Sequence, residues 1–505
     1  MKKSQMTDIS IAADTGASSN IDDNDKWNSI DWNIIENQVR RLQMRIAKAT
    51  REKRFGKVRA LQWLLTKSYN AKLLAIKRVT SNKGSRTPGI DGTTWPTGKK
   101  KLAAVSVLNK RGYKAQPLRR IYIPKKNGKR RPLGIPTIKD RAMQALHLLA
   151  LEPVAETTSD PNSYGFRPKR STQDAMQQGY IVLARKCSAE WILEADIKAC
   201  FDKISHDWLI KNVTMDKKIL QEWLNAGFIE NQKLYPTDEG TPQGGIISPT
   251  LANIALNGLE MEIKNSSKRG EKVNMVRYAD DFIVTAASKE ILERIKVNIQ
   301  SFLTERGLTL SEEKTKITSI YDGFNFLGFH FRKYKQKYMT KPAKENIKAI
   351  KAKVRETARA NKSAATLDLI NKLNPKLQGW GNYYRHVVSS KERSAIDHEV
   401  FKTVWKWAKR KHPQKSAGWI RNKYFRRKNL RSWIFHAKSY DKNGKPKIVD
   451  IVLLNKTPIS RYVKIRAVAN PYDPLYKEYF EERKNWKTKP TKYWNFNIAP
   501  TFFYG

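Results

Sequence analysis

Apolar positions in the N-terminal part of the chain recur every three to four residues, which is the spacing of one helix face. In residues 32–79, Val39, Leu42 and Ile46 share such a face, and its flanks are basic. A second stretch of the same kind covers residues 63–76. The pattern therefore predicts two basic amphipathic helices.

Further along, the pattern changes to short β-prone runs. Two runs flank the turn Lys126-Asn127-Gly128 and predict a hairpin with many basic residues. These cations either bind an anionic ligand or simply face solvent, and both alternatives give the same pattern. Another run ends at Asp196, and two more flank Tyr278–Asp281. After Phe331 the period becomes helical again. The apolar positions that define the two predicted helices are Ile347, Ile350 and Val354, then Leu367, Ile370 and Leu373.

The charge of the chain points to its partner. The 505 residues include 98 Lys or Arg and 47 Asp or Glu, a formal net charge of +51. Such a surface repels itself unless a polyanion is near, and nucleic acid is the natural one. No apolar run is long enough to span a membrane, and no signal-peptide pattern is present. The two cysteines, Cys187 and Cys200, form no disulfide framework or zinc site and suit a reducing cytoplasm.

The cations concentrate toward the C-terminal side. Residues 401–440 hold thirteen Lys or Arg and no Asp or Glu, interleaved with Trp405, Trp407, Trp419 and Trp433. Cations among aromatic side chains suit a surface that contacts phosphates and stacks on bases. We expect about half of these tryptophans in the core. The candidate nucleic-acid-binding cations here are Arg410, Lys411, Arg426 and Arg427.

Two adjacent acids, Asp280 and Asp281, lie at the tip of a predicted hairpin. Like charges about 4 Å apart repel by roughly 4 kcal/mol at an effective dielectric near 20, so a folded site needs a compensating cation. Mg²⁺ is the usual one. A solvated Asp-Asp turn would explain the pair equally well if it stood alone.

The pair does not stand alone. An upstream strand ends at Asp196 with Phe201 five residues later, and a Gly-rich loop covers residues 240–249. Residues 310–315 and 324–329 follow. In this order the segments resemble the palm of a reverse transcriptase, specifically the bacterial group II intron-encoded reverse transcriptase/maturase. Other segments that resemble this family are 85–92, 163–172 and 373–385.

The resemblance implies an α+β fold of the right-hand polymerase type. We expect fingers, a palm with an antiparallel sheet, and a helical thumb, with a helical N-terminal extension and a small basic C-terminal DNA-binding region. The expected divisions are a disordered tail at 1–31, the N-terminal extension at 32–99, fingers and palm at 100–335, thumb or maturase domain X at 336–440, and the DNA-binding region at 441–505.

The resemblance also implies roles for single residues. Asp196, Asp280 and Asp281 would be catalytic and hold two Mg²⁺ ions, with no zinc, while dNTPs are the substrates. Phe201 would exclude a 2′-hydroxyl or simply fill the core, and Lys314 would protonate pyrophosphate or be a surface lysine. The implied nucleotide-binding residues are Lys125, Arg131, Phe201, Gln243 and Lys314. At Lys125 and Arg131 the neighbouring cations remain alternatives, and Arg167 would hold a template phosphate or lie in a capped helix start without a ligand.

The expected function is RNA-directed DNA synthesis, together with binding of a group II intron RNA to promote its splicing and its mobility by target-primed reverse transcription. The implied partners are that RNA, a DNA target and the template–primer duplex, in a bacterial cytoplasm and at the nucleoid on DNA. The alternatives are a free-standing descendant in DNA repair or phage defence, and a splicing factor with an inactive polymerase. No His follows His436 and no Cys follows Cys200, so we expect no HNH endonuclease in this chain.

Overall fold

The computed structural model describes residues 23–486 apart from 125–127, 129, 242–243, 336, 430 and 442. Two predicted nucleotide-binding residues, Lys125 and Gln243, lie outside the described residues, so their roles stay predictions. Within the described part, no helix is both long and apolar enough to cross a bilayer.

Helices make up the N-terminal region. They are α1 (Asp23–Asn28), α2 (Trp32–Arg51), α3 (Phe55–Lys67), α4 (Tyr69–Thr80) and α5 (Gly98–Val107). The first predicted amphipathic helix is α2, and Asp31 caps it by accepting hydrogen bonds from two backbone N–H groups. The second predicted helix is divided into α3 and α4, because Ser68 has an extended backbone (ψ 129°) that ends α3.

The predicted end of the tail at residue 31 is wrong. Residues Asp23–Asn28 form α1, and Trp27 is buried with its ring centroid 5.1 Å from that of Trp32. The side chain of Asn24 also accepts a hydrogen bond from the Gly98 N–H at the start of α5. Burial of an indole ring offsets the conformational entropy lost when this short polar segment becomes ordered.

The predicted basic hairpin is confirmed. Strand β1 (Leu118–Pro124) pairs antiparallel with β2 (Arg130–Ile135). A second hairpin of β4 (Phe228–Glu230) and β5 (Lys233–Tyr235) joins β1, which gives the order β2-β1-β4-β5. The helices that follow the first hairpin are α6 (Ile138–Thr158), largely buried, and α7 (Thr172–Leu183).

A four-stranded antiparallel sheet forms the palm, in the order β6-β7-β3-β8. Its strands are β3 (Trp191–Asp196), β6 (Asn274–Tyr278), β7 (Asp281–Ala286) and β8 (Lys316–Ser319). The palm helices are α8 (Cys200–Lys203), α9 (His206–Asn212), α10 (Lys217–Leu224), α11 (Ser248–Leu256), α12 (Leu259–Asn265) and α13 (Lys289–Thr304). One continuous core joins this sheet to the N-terminal helices and α6, so the palm and the N-terminal extension form one body.

A small sheet separates the palm from the thumb. It consists of β9 (Phe324–Phe326), β10 (Phe329–Tyr334) and β11 (Lys337–Pro342). The phenylalanines of the predicted 324–329 segment are buried, and the rings of Phe324 and Phe331 stack with centroids 5.0 Å apart. These side chains therefore build a core rather than a ligand site.

The thumb contains the two predicted helices, α14 (Lys344–Ala360) and α15 (Thr366–Tyr383), followed by α16 (Ser390–Lys411) and α17 (Ala417–Tyr424). A sheet of β12 (Phe425–Lys428), β13 (Arg431–Tyr440) and β14 (Pro446–Asp450) packs against them. Trp407 is buried, Trp405 and Trp419 are partly buried, and Trp433 is 43% exposed. The tryptophans thus divide between core and surface, as expected.

After the thumb the chain returns to the palm as residues 457–483, here called the return segment. Its Tyr462 hydroxyl is 2.9 Å from the Ser171 hydroxyl. Asp174 of α7 accepts hydrogen bonds from the Ile465 N–H and from Arg483 of α18 (Lys477–Trp486). The described part of the expected DNA-binding region at 441–505 is thus β14 plus a segment docked on the palm, because its buried residues complete the core around β9–β11.

Candidate active site

The two acids at 280 and 281 lie at a tight turn between β6 and β7. Tyr278 and Asp281 are paired across the hairpin, so only Ala279 and Asp280 form the turn. Ala279 has a positive φ of 61°, a conformation that non-glycine residues seldom adopt. Gly165 packs directly against this turn, and a Cβ atom at Gly165 would lie 2.3 Å from the Ala279 nitrogen. The fold thus holds a strained turn in place at the palm surface.

Asp196 meets this turn across the sheet. It ends β3 and lies opposite Asp281 in the antiparallel register. The Ile197 N–H donates to the Asp280 carbonyl at 3.4 Å. The sheet therefore brings the three predicted acids together at one edge, although 84 residues separate the first from the second (280 − 196).

Burial makes this edge costly for negative charge. Burial, with added repulsion from Asp196 and Asp280, raises the pKa of Asp281 to about 7. Burial also raises the pKa of Asp280. Lys314 donates to Asp196 Oδ2 at 2.6 Å, and this bond raises the pKa of the lysine. One ammonium group thus provides part of the positive charge that three carboxyls require.

Carboxylate oxygens at one point suit a hard cation such as Mg²⁺. In the described residues no group of three or more His, Cys, Asp or Glu side chains already has the arrangement of a metal site. The donor set and its excess of negative charge nevertheless fit Mg²⁺, and Lys314 stands where further positive charge is needed. Cys200 lies beside the acids, but it is buried, and burial raises the pKa of its thiol to about 12, so it is a poor ligand.

A buried arginine supports the turn from behind. Arg277 has no exposed surface, and its guanidinium donates to Asn253 Oδ1 at 3.3 Å and to the Ala279 carbonyl at 3.4 Å. Asp160 lies 3.7 Å from the same group. Burial lowers the pKa of Arg277 to about 10, which still leaves it charged at neutral pH. This role was not predicted from the sequence, where the signal for it is a cation immediately before the acid turn.

A cavity of about 470 Å³ opens beside the acids. Its lining includes Arg131, Phe201 and Lys314 of the predicted nucleotide-binding set, together with Asp196 and Asp280. Phe201 is partly buried, and its ring meets that of Phe166 edge-on at 6.1 Å. A space of this size, lined by both acids and cations, can hold a small phosphorylated molecule together with a metal ion.

Two glycines of the Gly-rich loop lie in close contact with neighbouring backbone. A Cβ atom at Gly240 would lie 2.6 Å from the Asp202 backbone, and one at Gly244 would lie 2.5 Å from the Gly134 carbonyl oxygen. Both glycines have positive φ. They let the loop pack against neighbouring backbone, and Gly244 thereby forms part of the wall of the cavity.

Of the two alternatives given for Arg167, its contacts favour the capped helix start without a ligand. Its guanidinium is buried and forms two hydrogen bonds to Glu156, at 2.7 and 2.8 Å, and two more to the backbone carbonyls of Asp160 and Ser163. Four of its five N–H donors are used in this way, and its side chain is 4% exposed, so the group is not available to a template phosphate. The helix that follows is capped internally by Ser171 and Asp174. Arg167, Ser171 and Asp174 of the segment 163–172 therefore stabilise the palm.

The predicted thumb cations differ in availability. Arg410 and Arg427 are exposed, and Arg410 shares a cleft of about 830 Å³ with Arg355, Arg359 and Lys362. Lys411 donates to the Ala364 carbonyl at 2.6 Å. Arg426 forms a two-pronged ion pair with Asp450, at 2.7 and 2.8 Å.

The ion pair with Asp450 neutralises Arg426 within the thumb sheet, so this predicted nucleic-acid-binding cation already has a partner in the protein. The compensating acid lies on β14, ten residues beyond the acid-free window at 401–440 (450 − 440), so a count within that window could not reveal it. Its predicted role in nucleic-acid binding would require this ion pair to open.

Three protein-family models match consecutive parts of the chain. The N-terminal domain of reverse transcriptase matches residues 27–108, the reverse transcriptase (RNA-dependent DNA polymerase) matches 123–331, and the group II intron maturase-specific domain matches 347–425.

Curated relatives cover the same region. Protein YkfC of Escherichia coli (strain K12) is 34% identical over 305 residues, which are 52% of this chain and 80% of that protein. Group II intron-encoded protein LtrA of Lactococcus lactis subsp. cremoris is 34% identical over 328 residues, so this chain spans about half (54%) of its length. A Candida albicans telomerase structure aligns over 59% of this chain and 58% of its own, with a TM-score of 0.35 and 12% identity, too distant to carry an argument. The chain belongs to the group II intron-encoded reverse transcriptases, with a reverse transcriptase domain followed by a maturase-specific domain.

Proposed function

We propose that the protein synthesises DNA on an RNA template at the edge formed by Asp196, Asp280 and Asp281. The observation that carries this proposal is the convergence of three carboxyls beside a cavity lined by Arg131, consistent with the family. Asp196, Asp280 and Asp281 would hold Mg²⁺, as two ions, which would supply activation of the primer 3′-hydroxyl and neutralisation of the pyrophosphate.

The residues of this chain divide the remaining work. Asp196 and Asp280 are the principal metal ligands and Asp281 the auxiliary one. Arg131 and Lys314 pair with the triphosphate of the incoming dNTP, and Lys314 leaves Asp196 to do so. Phe201 packs under the sugar and excludes a 2′-hydroxyl, a role supported by its position in the cavity beside the acids.

Primer extension on an RNA template with Mg²⁺ tests the proposal. Asp280→Ala should lower the rate more than a hundredfold, since the variant loses a metal ligand, while RNA affinity stays within about twofold. Asp322→Ala, at an exposed turn outside the cavity, is the matched control and should leave the rate unchanged. An inactive wild type, or an Asp280→Ala variant as active as wild type, would refute the assignment.

We further propose that the thumb binds a group II intron RNA and promotes its splicing and mobility by target-primed reverse transcription. The match at 347–425 and the exposed cations Arg410 and Arg427 support this role. The protein would favour splicing by binding the active RNA fold more tightly than other folds. Its place would be the bacterial cytoplasm, and the nucleoid when it acts on DNA, which its nucleic-acid partners and its free thiols suit.

A further inference from the structure

A second cavity, of about 540 Å³, lies on the thumb between α16 and β13, away from the catalytic acids. Phe401 and Trp433 form its aromatic wall, and Asp397, Arg431 and Asn455 are on its polar side. Asp397 of α16 brings a carboxyl into the same cavity as the exposed Trp433, although the segment 401–440 itself contains no acid. The cavity therefore combines a hydrogen-bond-accepting carboxyl with an aromatic ring, whereas the exposed thumb cations only donate hydrogen bonds.

The aromatic wall is a rigid stacking surface. Trp433 is 43% exposed, yet its ring lies 5.9 Å from Phe401 and 5.5 Å from Trp405 by centroid, both edge-on. Arg421 covers it with a guanidinium 5.1 Å from the ring centre. An exposed aromatic held by neighbours binds a flat ring with little loss of conformational entropy.

The polar side offers hydrogen-bond acceptors. Asp397 accepts from the Leu454 and Asn455 N–H groups at 2.8 and 3.0 Å, which leaves further lone pairs on its carboxyl. Asn455 Oδ1 is buried and has no hydrogen-bond partner among the described residues. An acceptor left unsatisfied in this way costs free energy, and a ligand donor would recover it once the Asn455 side chain turns toward the cavity that this residue lines. The cavity thus favours a ligand that has a flat ring and adjacent hydrogen-bond donors.

Among the RNA bases, guanine presents two adjacent donors on its Watson–Crick edge, N1–H and the N2 amino group, beside the O6 acceptor. Adenine and cytosine each present one amino donor next to a ring acceptor, and uracil presents a single N–H. A carboxylate next to an amide oxygen matches the guanine edge, and Arg431 lies where it can donate to O6 or to a phosphate. An arginine side chain of a partner protein has similar donors, but the cationic surroundings disfavour a basic partner.

We propose that this cavity receives one unpaired guanine of the bound RNA, stacked on Trp433 and held at its Watson–Crick edge by Asp397 and Asn455. The inference deepens the proposed RNA-binding function and rests on it. It assigns base recognition to the thumb, whereas the exposed cations of the thumb contact phosphates and contribute no sequence preference.

Fluorescence anisotropy of the full chain with labelled twelve-nucleotide RNAs tests the inference. The probes are uridine oligomers with one central guanosine, 7-deazaguanosine, inosine or adenosine, measured at one salt concentration. The guanosine and 7-deazaguanosine probes should bind about tenfold more tightly than the inosine and adenosine probes, because inosine lacks only the N2 amino donor. This comparison requires no change in the protein.

Protein variants locate the preference. Asp397→Asn and Trp433→Leu should reduce the guanosine-to-inosine ratio to about one. Arg427→Gln is the matched control, because it removes an exposed thumb cation outside the cavity and should weaken all four probes equally while it keeps the ratio. Thermal unfolding of each variant verifies that the thumb is folded.

The results separate the two proposals. Binding of the guanosine and inosine probes within twofold of each other by wild type, or a ratio unchanged in folded Asp397→Asn, would overturn the guanine site and leave the polymerase proposal intact. No RNA affinity at all, together with no primer extension, would overturn the proposed function as well.

Discussion

The carboxyl of Asp281 should make the metal-free protein less stable as pH rises. The ordinary pKa of an aspartate carboxyl is 3.8, whereas the pKa of Asp281 in the folded protein is about 7. Between these values the unfolded chain has released the proton and the folded protein retains it. The stabilising contribution is therefore complete below about pH 3.8 and is lost as pH rises through about 7.

Asp281→Asn removes this dependence, because an amide of the same shape never ionises. The pKa of Asp281 is raised by roughly three units, and about two of these lie between pH 5 and pH 7. Because each unit corresponds to about 1.4 kcal/mol, the change in unfolding free energy over that interval is at most about 3 kcal/mol. The carboxyl is partly exposed, which reduces the effect. We expect the variant to gain about 2 kcal/mol in unfolding free energy relative to wild type between pH 5 and pH 8.

Urea unfolding of both proteins in EDTA at pH 5 and pH 8 measures this difference, and the comparison cancels other titrating groups. Addition of Mg²⁺ at pH 8 should narrow the gap, because only the wild type has the third carboxylate. Asp322→Asn, at an exposed turn, is the control for the removal of one surface carboxyl. A gap that stays constant from pH 5 to pH 8 would refute the claim that burial and acidic neighbours penalise this charge.

Three further outcomes are expected. Phe201→Ala should raise the ratio of ribonucleotide to deoxynucleotide kcat/KM in primer extension at least tenfold, and an unchanged ratio would remove the sugar-selecting role. Gly165→Ala should displace the acid turn and abolish synthesis, whereas Gly379→Ala, with no neighbouring atom within 4 Å, should retain activity and gain up to about 1 kcal/mol in unfolding free energy. Arg483→Ala leaves Asp174 buried with one cation fewer and should cost about 3–5 kcal/mol in urea unfolding; a loss below 1 kcal/mol would contradict the buried pairing.

Local patterns predicted much of this fold. The β-prone runs before Asp196 and around the acid pair identified the palm strands, and the helical period after residue 331 identified α14 and α15. The register that places Asp196 opposite Asp281 does not follow from either segment alone, because it depends on which strands become neighbours. The family resemblance supplied that step.

Other features depend on partners distant in the chain. The charge of Arg167 is satisfied by Glu156 on α6, and that of Arg426 by Asp450 on another strand. A basic side chain has the same appearance in the sequence whether it faces solvent or a buried carboxylate. The role of Arg277 was missed for the same reason, since its burial is a property of the packed palm.

The return segment fastens the thumb to the rest of the protein at a second place. The thumb follows β11 in the chain, and the return segment then leaves the thumb and joins α7 through Asp174. A thumb connected to the palm at both ends cannot rotate far from it without breaking the buried contacts of Asp174. A long duplex would then enter and leave the protein by sliding along its own axis. Successive nucleotide additions on one template would not require the thumb to open between them.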